Sequence, residues 1–123
     1  MEAGLSQSGR RRVIILDDDE AVRDSLEILL DTHGYEVTSF ASARAFLESG
    51  EVGRGACLIL DLHLPDMSGF DVLRRLEGSM KVIMITARSD AATLRSAIEA
   101  GAMTLLEKPF TDQQLVSTIE KAA

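Results

Sequence analysis

Three short apolar runs set the rhythm of the chain: Val13-Ile14-Ile15-Leu16, Cys57-Leu58-Ile59-Leu60 and Val82-Ile83-Met84-Ile85. A continuous run of this length, bounded by turn signals, predicts a strand covered on both faces. The first strand is expected over Val13–Leu16, the central one over Ala56–Leu60 and the fourth over Val82–Ile85. Tyr35–Phe40, which mixes β-branched and aromatic residues, and Met103–Leu106 predict two more.

Between the strands the apolar period becomes helical. From Glu20 to about Thr32 it falls on Val22, Leu26, Leu29 and Leu30. His33-Gly34 closes that helix, with Gly34 supplying the left-handed turn. Ser42 is placed to cap a helix reaching about Ser49, with Ala45, Phe46 and Leu47 on its inner side. Gly50, Gly53 and Gly55 mark a loop. Phe70, Leu73 and Leu76 predict a third helix ended by Gly78. Asp90 can cap a fourth, carrying Leu94, Ala97 and Ile98 and closed by Gly101. Thr111-Asp112-Gln113-Gln114 has the form of a capping box opening a fifth, with Leu115, Val116 and Ile119. Strand and helix alternate five times without an internal repeat. That order implies a parallel sheet with helices on both faces and right-handed crossovers.

Composition narrows the classes. A length of 123 residues, 46% of them hydrophobic, suits one domain with a real core. Residues 1–10 are polar and are expected to form a flexible tail, leaving residues 11–123 for the domain. A net charge of -7 argues against wrapping nucleic acid or an anionic membrane. The exception is Arg10-Arg11-Arg12, which reads as a solvated basic flank. One cysteine excludes an internal disulfide, and Cys57 in its apolar run reads as a small buried hydrophobe. No apolar run approaches the roughly 18 residues of a membrane span. The N-terminus has no apolar signal region, so a cytoplasmic protein is the expectation.

The candidate chemistry lies where the strands stop. The first run ends in Asp17-Asp18-Asp19-Glu20, the central one in Asp61 and the fourth in Thr86-Ala87. Open α/β sheets bind ligands at this carboxyl edge. If strands one and three are neighbours, Asp17, Asp18 and Asp61 converge. At about 4 Å and an effective dielectric near 20, each carboxylate pair costs roughly 4 kcal/mol. A hard divalent cation relieves that, and all-oxygen ligands favour magnesium. Lys108 follows strand five, can place an ammonium beside the cluster, and precedes Pro109 across a bond open to the cis form. Thr86 adds a hydroxyl. Metal, carboxylate nucleophile, cation and hydrogen-bond donor are the equipment for phosphoryl transfer onto an aspartate. Each feature has an ordinary reading alone: an acidic first helical turn, a turn cap, a β-branched strand end, a surface lysine. Coincidence at the ends of four different strands is the poorer explanation.

Val13–Glu20, Leu58–Gly69, Ile85–Ala87 and Gly101–Phe110 together resemble the receiver domain of two-component response regulators, over residues 12 to 123. The resemblance implies a flavodoxin-like (βα)5 fold with sheet order 2-1-3-4-5. It implies Asp61 as the residue phosphorylated by a sensor histidine kinase. It implies magnesium held by Asp17, Asp18, Asp61 and the main-chain carbonyl of His63, with Thr86, Ala87 and Lys108 at the phosphoryl group. Such a domain catalyses only its own phosphorylation and dephosphorylation. The run of four acids leaves two registers open, Asp17-Asp18 and Asp18-Asp19, and strand length and the position of Arg23 favour the first. Leu105 stands where many receivers carry Tyr or Phe as part of the switch. His63 and Arg88, two residues past Asp61 and Thr86, occupy variable positions that tune phosphoryl lifetime.

The resemblance also implies that phosphorylation alters the surface of helix four, strand five and helix five. Dimers often form there through helix four and strand five, where Leu94, Ile98, Met103 and Leu105 supply apolar material. Glu107-Lys108-Pro109-Phe110 and Phe46-Leu47 are similar to receivers joined to LuxR-type DNA-binding domains. The output class implied is therefore transcriptional, but these residues contain no helix-turn-helix, and no direct contact with nucleic acid is expected of them. A stand-alone receiver acting by protein binding is an alternative. So is a magnesium-dependent phosphatase working through an aspartyl-phosphate, although such enzymes want a second acid where His63 stands. A flavodoxin-like cofactor binder is disfavoured by the acidic strand ends.

Overall fold

A computed structural model describes residues 11–55 and 57–122. The expected tail, residues 1–10, and Ala56 at the expected start of the central strand lie outside the described residues. The strands are β1 (Arg12–Leu16), β2 (Glu36–Phe40), β3 (Cys57–Asp61), β4 (Val82–Thr86) and β5 (Thr104–Glu107). The helices are α1 (Glu20–Thr32), α2 (Ala43–Glu48), α3 (Gly69–Leu76), α4 (Ala91–Glu99) and α5 (Asp112–Ala122). All strand pairs are parallel, in the order β2-β1-β3-β4-β5 that the resemblance implied.

Two cores follow from the period of two along each strand. Ile14, Leu16, Leu58, Leu60, Val82, Met84 and Leu105 point to one face, under Phe46 of α2, Val72, Leu73 and Leu76 of α3 and Ala97 of α4. Val13, Ile15, Cys57, Ile59, Ile83 and Ile85 point to the other, under Leu26 and Leu30 of α1 and Leu115 and Ile119 of α5. Full burial of each large aliphatic side chain contributes about 1.5–3 kcal/mol. Burial pushes the Cys57 thiol up to about 12, so it packs as a hydrophobe and does not ionise.

Several boundaries differ from the sequence reading, each for a local reason. Strand β3 runs one residue further than expected, so Asp61 is its last residue and pairs with Ile85. Strand β4 likewise includes Thr86, opposite Glu107. Strand β5 begins at Thr104, one residue late, because its ladder with β4 opens at Ile83–Thr104. Strand β2 begins at Glu36, and Tyr35 is buried just before it. Arg12 is not part of a solvated flank. It opens β1 opposite Glu36 and forms ion pairs with Glu51 at 2.5 Å and Glu36 at 3.5 Å. In α2 the inner residues are Ala43 and Phe46, Leu47 is partly buried against the same core as expected, and Ala45 is exposed. With Ser42 as the cap, positions three apart share a face, which aims Ala45 outward. The capping box of α5 forms as its sequence suggests: the Gln114 amide donates to Thr111 Oγ1 at 3.0 Å, and the Thr111 amide donates to Gln114 Oε1 at 2.7 Å. Among the described residues, no helix is long and apolar enough to cross a membrane.

Candidate functional site

The carboxyl ends of β1, β3, β4 and the turn after β5 meet at one edge. Asp17, Asp18 and Asp61 each offer a carboxylate oxygen within 4.8 Å of the others. Asp17 is fully buried, Asp18 is exposed, and Asp61 is 6% exposed. Lys108 Nζ lies 3.2 Å from Asp17 Oδ2 and 3.4 Å from Asp61 Oδ2. The Lys108 amide is itself anchored, donating to the main-chain oxygen of Thr86 at 2.7 Å, and the Lys108–Pro109 bond is cis.

Local turns aim these groups. The His63 amide donates to Asp61 Oδ1 at 3.0 Å, and the Asp19 amide donates to Asp17 Oδ1 at 2.9 Å. The side chain of Asp19 serves the helix instead, its Oδ1 capping α1 by accepting from the amides of Ala21 and Val22. The structure thus groups Asp17 and Asp18 with Asp61 and gives Asp19 to the helix. Thr86 is buried at the end of β4, and its Oγ1 accepts from the Arg88 amide at 3.2 Å.

Electrostatics match the crowding. Burial raises the pKa of Asp61, the His63 hydrogen bond opposes that, the Asp17 charge adds to it, and Lys108 opposes it. For Lys108, burial works against the ammonium, but the charges of Asp17 and Asp61 outweigh it and raise its pKa. Three carboxylates face one ammonium. The donor set is oxygen only, compact and over-negative, which fits a hard divalent cation such as magnesium.

The remaining sequence candidates take other places. Ala87 and Arg88 are exposed beyond β4, and His63 is exposed on the loop after β3. Leu105 is buried opposite Met84 in the core under α2, α3 and α4, outside the acid cluster. Two further residues were given no role by the sequence reading. Asp66, on the β3–α3 loop, accepts from the amides of Ala43 at 3.1 Å and Arg44 at 2.9 Å, so it caps α2 from another element. Those bonds lower its pKa, the Arg44 amide foremost. No local signal marks it, because its partners lie 22 and 23 residues away. Gly69 opens α3 against the end of β3. A Cβ there would lie 2.7 Å from Met84 Cε, 2.9 Å from Leu62 Cα and 3.0 Å from the main-chain oxygen of Asp61. Glycine at a helical position, where it costs about 1 kcal/mol in propensity, was the available clue.

The family model described as "Response regulator receiver domain" matches residues 13–120. The transcriptional regulatory protein FixJ of Rhizobium meliloti is 41% identical over 115 residues, covering 90% of this chain and 56% of FixJ. The response regulator protein TodT of Pseudomonas putida is 40% identical over 119 residues, covering 94% of this chain and 52% of TodT. The chain therefore spans about half the length of these curated relatives. Among solved structures, a putative response regulator from Chloroflexus aurantiacus superposes with a TM-score of 0.83 at 32% identity, covering 92% of this chain and 97% of its own.

Proposed function

The chain belongs to the receiver domain family of two-component response regulators, and from that membership we propose that Asp61 accepts a phosphoryl group from a sensor histidine kinase. The observation that carries the proposal is the setting of Asp61: last residue of the central strand, nearly buried, flanked by Asp17, Asp18 and Lys108. An Asp61 carboxylate oxygen attacks phosphorus in line. A P–O bond forms, the P–N bond of the kinase phosphohistidine breaks, and the departing imidazole nitrogen takes up a proton. The Lys108 ammonium, 3.4 Å from Asp61 Oδ2, would offset charge on the phosphoryl oxygens, and the Thr86 hydroxyl, at the end of the neighbouring strand, would follow it. Asp17, Asp18, Asp61 and the His63 carbonyl would hold magnesium, which when bound supplies further positive charge against those oxygens.

His63 and Arg88 reach Asp61 and Thr86 through their main-chain amides, and their exposed side chains are assigned control over how water approaches the phosphoryl group. The change at Asp61 passes through Thr86 and Ala87 to α4, β5 and α5. Leu94 and Ile98, exposed on α4, supply apolar surface for a phosphorylation-dependent homodimer. Leu105, smaller than an aromatic ring, gates this change less tightly. The output controlled by this domain is transcriptional, as in the relative FixJ, a transcriptional regulatory protein. A phosphatase reading lacks its second acid, since His63 stands at that position.

Intact-mass measurement after treatment with acetyl phosphate and magnesium tests the proposal. One added phosphoryl group is expected on the wild type and none on Asp61→Asn. Undiminished labelling of the variant would overturn the assignment.

A further inference from the structure

Arg23 is a charged residue on the first turns of α1 for which phosphoryl transfer has no direct use. Its Nη1 donates to the main-chain oxygen of Asp17 at 2.8 Å. That carbonyl has no partner in the sheet's β1–β3 ladder, whose last pair is Leu16–Leu60. Asp17 is fully buried, so the carbonyl cannot turn to bulk water, and a buried unpaired carbonyl is costly. The other polar atoms of Asp17 are also fixed: its amide donates to the main-chain oxygen of Phe40 at 3.2 Å, Oδ1 accepts from Asp19 and Oδ2 faces Lys108. Asp18 follows directly, exposed and held between two clamps. On one side Arg23 grips the Asp17 carbonyl, and on the other Asp19 caps α1 while its own carbonyl accepts from the Arg23 amide at 3.0 Å.

We propose that Arg23 is a positioning residue for a divalent cation: by gripping the Asp17 carbonyl it fixes the Asp17–Asp18 peptide so that both carboxylates converge with Asp61. The inference rests on the cation reading of the acid cluster. Partners that orient metal ligands typically matter 10–100-fold in metal affinity. The sign separates positioning from charge. Removing a cationic guanidinium near the cluster would, by charge alone, tighten binding of a second cation. Removing a clamp weakens it.

The probe is Mn2+, titrated against metal-free protein and followed by the electron paramagnetic resonance signal of the free ion. Arg23→Ala is expected to bind about tenfold or more weakly than wild type. Arg23→Met, which keeps most of the apolar stem, is expected to show the same loss and decides the matter if the alanine variant does not fold. Arg23→Lys, which keeps a donor, is expected to recover most of the affinity. Circular dichroism on the metal-free proteins shows whether each variant is folded at the titration temperature. Unchanged or tighter Mn2+ binding by folded Arg23→Ala or Arg23→Met overturns the proposal. Asp18→Asn serves as the separate control: if it binds Mn2+ as well as wild type, the cation reading of the cluster fails, and the role of Arg23 fails with it.

Discussion

The two sides of the acid cluster are built to different standards. On one side α1 packs Leu26 and Leu30 into the core, is capped by Asp19, and reaches back through Arg23 to the acids themselves. On the other side α4 fully buries Ala97 alone, while Leu94 and Ile98 are 40% and 46% exposed. The segment joining α4 to the site carries Ala87 and Arg88 in solvent, with the Arg88 amide held to Thr86 Oγ1 at 3.2 Å. Local stability varies across a fold, and elements that move are drawn from its weaker parts. On the proposed function the two sides would divide the labour: the α1 side holds the acid cluster in place, and the more lightly packed α4 side is the one expected to respond.

The largest expected effect breaks the strong side. Leu30→Ala removes a fully buried side chain from α1 and should destabilise the fold by about 2–5 kcal/mol. Ile98→Ala on α4 should change stability by about 0.5 kcal/mol or less. Urea unfolding of the two variants checks this, and similar losses would erase the contrast. A smaller loss is expected from Gly69→Ala. The new methyl meets the backbone of Leu62 and Asp61 as well as Met84 Cε, and such overpacking costs about 1–3 kcal/mol. Phosphorylation of Asp61, followed by intact mass, should slow in the same variant, because the clash lies at the end of β3.

The smallest effect has the opposite sign. The pKa of Asp61 is raised, first by burial, so its ionised form costs the fold stability at neutral pH. That cost is absent where the carboxyl is protonated in both folded and unfolded states, and it grows as pH rises from the ordinary value of 3.8 through the folded-state value. Asp61→Asn should therefore melt a few degrees above metal-free wild type at neutral pH, with the gap closing in acid. Thermal melts at several pH values test it, and a variant that melts lower throughout would contradict the burial argument.

Much of the fold and the site could be read from the sequence, but unevenly. The unbroken apolar runs marked β1, β3 and β4 because strands buried on both faces need no polar positions. Their neighbour order came with the family resemblance, since periodicity carries no information about which strands pair. Within the run Asp17–Glu20, strand length and the position of Arg23 favoured Asp17-Asp18, and the structure groups those two with Asp61; that Asp19 turns to the amides of Ala21 and Val22 shows only in the backbone geometry. Helical period pointed to Leu94, Ala97 and Ile98 together, but not that the contact with the sheet rests on the small residue among them. Asp66 was silent because a cap supplied from another element leaves no pattern near the helix it serves.

Whether the α1 side holds while the α4 side responds can be read by hydrogen exchange on the phosphorylated domain. With acetyl phosphate and magnesium, amides of residues 86–100 should change their protection, while those of α1, Glu20–Thr32, stay as they were. Neither region should change in Asp61→Asn. Equal changes on both sides of the cluster, or any change at α4 that survives in Asp61→Asn, would contradict that division.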